Sequence, residues 1–203
     1  MKNSEGQEIK VILVGQSGTG KTSLINSAIG QQFIEGKEQS TISSSFVTKI
    51  INIDEKSYTI NLWDTIGQEK FRSLTKIFIK DSKIVILVYD ITVLNSFEEL
   101  KFWYDTIKEV LGDTAVLGVA GNKQDLFANE QVNEEVAKKY ANDINALFKL
   151  TSAKNPLNFN KLLEDLLREY IKKTGGVIES NDRKKLDNKK DGKSGKGGKC
   201  CSK

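Results

Sequence analysis

The sequence predicts an α/β fold: a mostly parallel six-stranded sheet with one antiparallel edge strand and helices on both faces. Three observations predict it. Apolar runs rich in Val, Ile and Leu recur along the chain, several of them without alternation, as strands covered on both faces require. Stretches with helical periodicity separate these runs, and a glycine-rich turn follows the first run directly.

The runs place strands at 9–14, 46–53, 58–63, 84–89, 115–120 and 146–150. The second and third are separated only by Asp54-Glu55-Lys56-Ser57, which suits an antiparallel hairpin at a sheet edge. A helix is expected over 22–29, after the glycine-rich turn. Another is expected over 95–111, where Ser96 and Glu99 have capping-box spacing. A last helix over 156–173 opens on Pro156, whose missing N–H costs nothing there, and carries Leu162, Leu163, Leu166, Leu167 and Tyr170 on one face. In such a sheet, ligands bind beyond the carboxyl ends of the strands.

With 203 residues and 38% hydrophobic content, the chain suffices for one packed domain, assigned to 1–174, followed by a tail over 175–203. From Gly175 onward, nine Lys and Arg against four Asp and Glu give the tail +5, leaving 22 against 23 and −1 in the body. The basic balance therefore belongs to the tail. The body has no basic face and the tail lysines no aromatic platform, so nucleic acid is not an expected partner. No apolar stretch reaches the length of a membrane span, and Met1 to Glu5 lack the apolar core of a signal peptide, so a cytosolic protein is expected. Polar and rich in Lys, Gly, Asn and Asp, the tail reads as a flexible tether.

Gly15-Gln16-Ser17-Gly18-Thr19-Gly20-Lys21-Thr22 fits the phosphate loop G-x-x-x-x-G-K-[ST], which puts the chain among P-loop NTPases. Its glycines let successive N–H groups converge on a phosphate chain at the positive end of the next helix, which Ser23 continues. Lys21 adds charge near the β- and γ-phosphates, and the Thr22 hydroxyl suits a magnesium ion. Asp64, in Trp63-Asp64-Thr65-Ile66-Gly67-Gln68-Glu69, is placed to hold the same magnesium; Gly67 offers a backbone N–H to a γ-phosphate, and Gln68 can orient an attacking water. Asn122-Lys123-Gln124-Asp125 carries a carboxylate able to accept from the ring N–H and exocyclic amine of guanine, an edge adenine lacks. Thr151-Ser152-Ala153-Lys154 ends the next strand and offers an N–H to the guanine carbonyl.

Together these motifs resemble the small GTPases of the Ras superfamily, and within it the Rab family. The resemblance is carried by Gly15 to Thr22, Thr41, Trp63 to Phe71, Leu87 to Thr92, Asn122 to Asp125, Thr151 to Lys154 and the ending Cys200-Cys201-Ser202-Lys203. Gln39 to Ile42, Ser45 to Thr48 and Asp81-Ser82 with Ile86 to Asp90 look most like the endosomal Rabs. The resemblance implies a monomeric switch that binds GTP or GDP with Mg2+, hydrolyses GTP, and works with an exchange factor, an activating protein, a GDP dissociation inhibitor or escort protein, and effectors. It implies that Thr41 ligates magnesium only when the γ-phosphate is present, that Phe33 packs on guanine, and that Phe46, Trp63 and Phe78 are read by effectors. Core packing is the competing reading of those three aromatics, and a helix-end core contact that of Phe33. It also implies geranylgeranyl groups on Cys200 and Cys201, which with the nearby lysines would hold the protein on the cytoplasmic face of endosomal or vesicle membranes, with a cytosolic pool.

Three departures stand out. Ile66 replaces the usual alanine of D-T-A-G-Q, Ser43-Ser44-Ser45 replace a common glycine and acidic residue, and the span from Phe33 to Thr41 is one residue longer than the family's. No arginine lies in that span, so fast turnover is expected to need one from an activating protein. Two other readings stand beside the switch: a GTP-dependent binding module that scarcely hydrolyses because of Ile66, and a P-loop kinase or ATPase.

Overall fold

The computed structural model describes residues 8–34, 45–65 and 72–175. Its sheet has six strands in the order β2-β3-β1-β4-β5-β6, formed by β1 (Glu8–Val14), β2 (Ser45–Ile53), β3 (Lys56–Asp64), β4 (Ile84–Asp90), β5 (Val116–Asn122) and β6 (Leu147–Leu150). All neighbours pair in parallel except β2, which runs antiparallel to β3 at the edge. The expected architecture is thus observed.

Alternating side chains of each central strand feed two cores. On one face Ile9, Val11 and Leu13 of β1 and Ile84, Ile86 and Val88 of β4 meet α1 (Lys21–Ala28) and α6 (Leu157–Lys173). The other face buries Ile12, Val14, Val85, Leu87 and Tyr89 against α2 (Arg72–Ile79), α3 (Leu94–Glu98), α4 (Leu100–Leu111) and α5 (Glu134–Asp143). Full burial on both faces explains why these strands read as unbroken apolar runs. On α6, Leu162, Leu163, Leu166, Leu167 and Tyr170 form the buried stripe, as the periodicity requires.

Local chemistry corrects three expectations. The hairpin turn is tighter than its four polar residues suggest: Ile53 pairs with Lys56, and only Asp54 and Glu55 turn, both at positive φ (47° and 65°). That is the conformation a two-residue turn needs to match strand twist, and Arg168 of α6 clamps it by donating to both carboxylate oxygens of Asp54 at 3.1 Å. The helix expected over 95–111 is two helices, α3 and α4, parted at Glu99. The capping box does not form, because the Ser96 hydroxyl is buried against β4. It accepts from the Asp90 N–H at 2.9 Å and donates to the carbonyl of Val93 at 2.7 Å, and Val93 rather than Ser96 caps α3. Pro156 is the N-cap of α6 rather than its first residue, so its absent N–H still costs nothing.

Candidate nucleotide-binding site

The glycine-rich turn sits where the carboxyl end of β1 meets the amino end of α1. Two glycines are fixed there by space as well as conformation. At Gly15 (φ 149°) a Cβ would lie 2.1 Å from the Val88 carbonyl oxygen, and at Gly20 (φ 87°) it would lie 2.4 Å from the amide nitrogen of Asn122. No side chain fits either place.

Lys21 is 5% exposed, and its ammonium donates to the carbonyls of Gly15 and Gln16, both at 2.9 Å, while the Thr19 hydroxyl closes the turn onto the Gln16 carbonyl at 3.0 Å. Curling the loop around its own lysine turns those carbonyls inward, away from any anion. Burial pulls the Lys21 pKa down from 10.5 to about 8, against an opposing pull from Asp64. Ser17 and Gly18 are exposed on the loop, and Ser23 lies in the first turn of α1.

Thr22 donates to Asp64, a buried residue at the carboxyl end of β3, at 2.7 Å across 42 residues of sequence. Next to it, Thr65 is anchored to the Leu13 carbonyl at 2.6 Å, which fixes β3 to β1 at this end. A hydroxyl and a buried carboxylate side by side form a hard-oxygen donor pair. Magnesium accepts such a pair when phosphate oxygens and water complete its shell. No group of three or more His, Cys, Asp or Glu able to hold a metal occurs among the described residues, so a metal here would rely on those added ligands.

The motifs expected to read a base converge on the same end of the sheet. β5 ends at Asn122, and the 3₁₀ turn Gln124–Asn129 that follows presents Asp125 beside the residues after β6. Asp125 accepts from the Ser152 hydroxyl at 2.6 Å and pairs with the Lys154 ammonium at 3.3 Å. Burial pushes the Asp125 pKa up, but the bonds from Ser152 and Lys154 outweigh it and hold the carboxyl below its ordinary value. Asp125 therefore stays an acceptor, as a reader of N–H groups must. The Ser152 oxygen also accepts from the Lys154 N–H at 3.1 Å, and Ala153 is buried between them. Phe33, half-buried against the α1 and α6 core, has the Lys154 ammonium 5.9 Å from its ring centre. The core contact and the place beside the base loop thus both hold for Phe33.

Two ties were not legible in the sequence. Asn122, 1% exposed, donates to the Thr19 carbonyl at 2.8 Å and accepts from the Thr151 hydroxyl at 3.3 Å. One amide therefore joins the phosphate loop, the base turn and the end of β6. Lys123, in the left-handed region at φ 65°, places its ammonium 2.8 Å from Asp90, whose other oxygen accepts from the N–H and hydroxyl of Thr92. Thr41, Ile66, Gly67, Gln68, Cys200 and Cys201 lie outside the described residues.

A Ras family model matches residues 10–172 of the chain. The chain belongs to the Ras family. It is 38% identical over 162 residues to the human Ras-related protein Rab-22A, an alignment covering 80% of this chain and 83% of the relative, and the mouse and dog Rab-22A proteins match over the same shares at the same identity. These relatives place it in the Rab branch, as a small GTPase that hydrolyses GTP. The kinase or ATPase reading falls away with that membership. The non-hydrolysing binding module is likewise not favoured.

In this GTPase the three aromatics expected to meet effectors are only partly core. Phe46 is 50% exposed and stacks on Trp63, its cross-strand partner, with ring centres 4.9 Å apart and planes 25° apart. Lys10 lies 4.7 Å from the Trp63 ring centre. Phe78, on α2, is half-buried at the margin of the same core as Trp63. For Phe46 the structure removes the core-packing reading; Trp63 and Phe78 keep a share of it.

Proposed function

We propose that this chain is a Rab-type switch in which Gly15 to Ser23 and Lys21 hold the phosphates, Thr22, Asp64 and Thr41 hold magnesium, and Asn122, Lys123, Asp125, Ser152, Ala153, Lys154 and Phe33 hold guanine. The observation that carries the reading is the convergence of the Thr22–Asp64 pair and the Asp125–Ser152 pair at one end of the sheet, with Asn122 joining their loops. One pair suits hard cation chemistry and the other an N–H-bearing base edge. When bound, magnesium would neutralise charge on the β- and γ-phosphates.

Gln68 positions the attacking water and Gly67 senses the γ-phosphate, while Ile66 slows intrinsic hydrolysis, so that turnover depends on an activating protein's arginine. In the GTP state Phe46, Trp63 and Phe78 recruit effectors. The basic tail, geranylgeranylated at Cys200 and Cys201, holds the body of the protein, 1–174, at endosomal or vesicle membranes, because two lipid chains anchor stably where one is marginal. An exchange factor and a GDP dissociation inhibitor or escort protein complete the cycle. The similarity to the Rab-22A proteins supports this membrane role.

Single-turnover phosphate release, with and without a panel of activating proteins, tests the switch. Release that is slow alone, fast with activator and faster alone in Ile66→Ala supports it; no release from GTP-loaded protein under any condition refutes it. Deleting Cys200 to Lys203 is expected to move the protein off membranes with GTP binding unchanged, and persistent membrane association would refute the lipid anchor.

A further inference from the structure

At the amino ends of β4 and β5, the pole opposite the nucleotide loops, the turn after α2, the end of α4 and the end of α6 line a half-open cavity of about 600 Å³. That is the size of a small-ligand pocket. Its walls differ in character. Lys80 and Lys83 bring two cations, neither of which forms an ion pair among the described residues, while Val110 and Leu111 supply an apolar side. Asp81 is the one acidic residue of the lining, and its field acts on Lys10. Lys10 in turn donates to the Lys80 carbonyl at 2.8 Å, which brings a third ammonium to this edge. A fourth, that of Lys173, donates to the carbonyl of Asp113 at 2.5 Å beside the Thr114 wall. Ser82 is the independent sign of a ligand. It lines the cavity at 3% exposure, and its hydroxyl has no hydrogen-bond partner, a condition that native structures avoid unless something else supplies one.

We propose that this cavity binds the phosphate-bearing headgroup of an anionic phospholipid, with Lys80 and Lys83 as its charge partners, Ser82 as a hydrogen-bond partner and Val110 and Leu111 against the start of the lipid chains. The occupant is chosen by charge and by chain path. Thr174 lines the cavity, and residues 176–199 lead from it to the cysteine pair, so the cavity lies at the root of the tether; in this respect the inference rests on the proposed membrane anchor. The tail carries a net positive charge and is repelled from a basic cavity, which excludes it as the natural occupant. Headgroup capture would orient the GTPase with its nucleotide loops and the Phe46–Trp63 pair facing the cytosol.

The test uses the full-length, unlipidated, GDP-loaded protein and amide NMR shifts during titration with monomeric dioctanoyl phosphatidic acid. Dioctanoyl phosphatidylcholine and inorganic phosphate serve as parallel arms. Saturable shifts centred on residues 80–83, 110–114 and 170–174, weakened at least about tenfold in Lys80→Glu/Lys83→Glu and retained in Lys193→Gln/Lys196→Gln/Lys199→Gln, support the proposal. Unchanged GDP retention shows that the double variant is folded, and Lys80→Ala alone replaces it otherwise. Shifts confined to the tail or the nucleotide loops, equal binding of phosphatidylcholine, or equally tight binding of inorganic phosphate overturns it. Because no lipid is attached in this experiment, its failure is distinct from a failure of the anchor, which the mass of the native C-terminus reads separately.

Discussion

Asn122→Ala removes the amide that ties the phosphate loop to the base loop, and its cost can be worked from the two bonds. The 2.8 Å bond to the Thr19 carbonyl and the 3.3 Å bond from Thr151 are both buried, and deletion leaves two polar atoms without partners. Each stranded group costs about 1–3 kcal/mol, so the variant loses about 2–6 kcal/mol in all. Thr19 belongs to the loop proposed to grip phosphate, so part of the loss is expected to fall on nucleotide affinity. A share of about 2 kcal/mol corresponds to GDP release roughly 30-fold faster. Release of a fluorescent GDP analogue measures this directly, and circular dichroism confirms the fold. Thr151→Val deletes only the longer bond and is expected to accelerate release less than Asn122→Ala. A folded Asn122→Ala protein with unchanged release, or a larger effect from Thr151→Val, would refute the bridge.

Two more predictions follow from the same loops. Burial lowers the Lys21 pKa to about 8, so without nucleotide it is largely protonated at pH 7 and largely neutral above pH 9; a bound phosphate chain raises its pKa again. GTP affinity is therefore expected to fall as pH rises through 8, with proton uptake on binding measurable by calorimetry in two buffers at pH 8.5 and absent in Lys21→Arg. Stability of the empty protein runs the other way, rising between about pH 8 and 10.5 because the unfolded chain binds the extra proton there. Asp64→Ala and Thr22→Asn each break the oxygen pair, and the tightening of GDP binding by magnesium is expected to shrink about 10–100-fold; equal magnesium dependence in both variants and wild type would contradict the assignment.

Most of the fold was legible because β1, β4 and β5, buried on nearly all of their length, leave apolar runs with little alternation, while the half-exposed β2 and β3 announce themselves by the short polar turn between them. The failures were local. A one-residue break at Glu99 hardly disturbs helical spacing, so two helices read as one. Ser96 has the sequence of a cap but spends its hydroxyl on the backbone of Asp90, a partner that only the tertiary fold supplies. The site divides the same way. Residue type and order nominated Lys21, Thr22, Asp64, Asp125 and Ser152, and the topology brings the strand ends that carry them together. The Asn122–Thr19 bridge spans 103 residues, and the Lys123–Asp90 pair joins two motifs that read as separate. Neither leaves a mark in spacing, because both exist only once the strands are side by side.

Competitive binding of GDP, GTP and ATP, in wild type and in Asp125→Ala, tests the central assignment most directly. A site whose carboxylate reads guanine N–H groups is expected to prefer GDP and GTP over ATP by about a thousandfold or more. Asp125→Ala is expected to lose most of that preference while magnesium dependence persists. Equal affinity for ATP in the wild type, or a guanine preference that survives the loss of Asp125, would contradict the account.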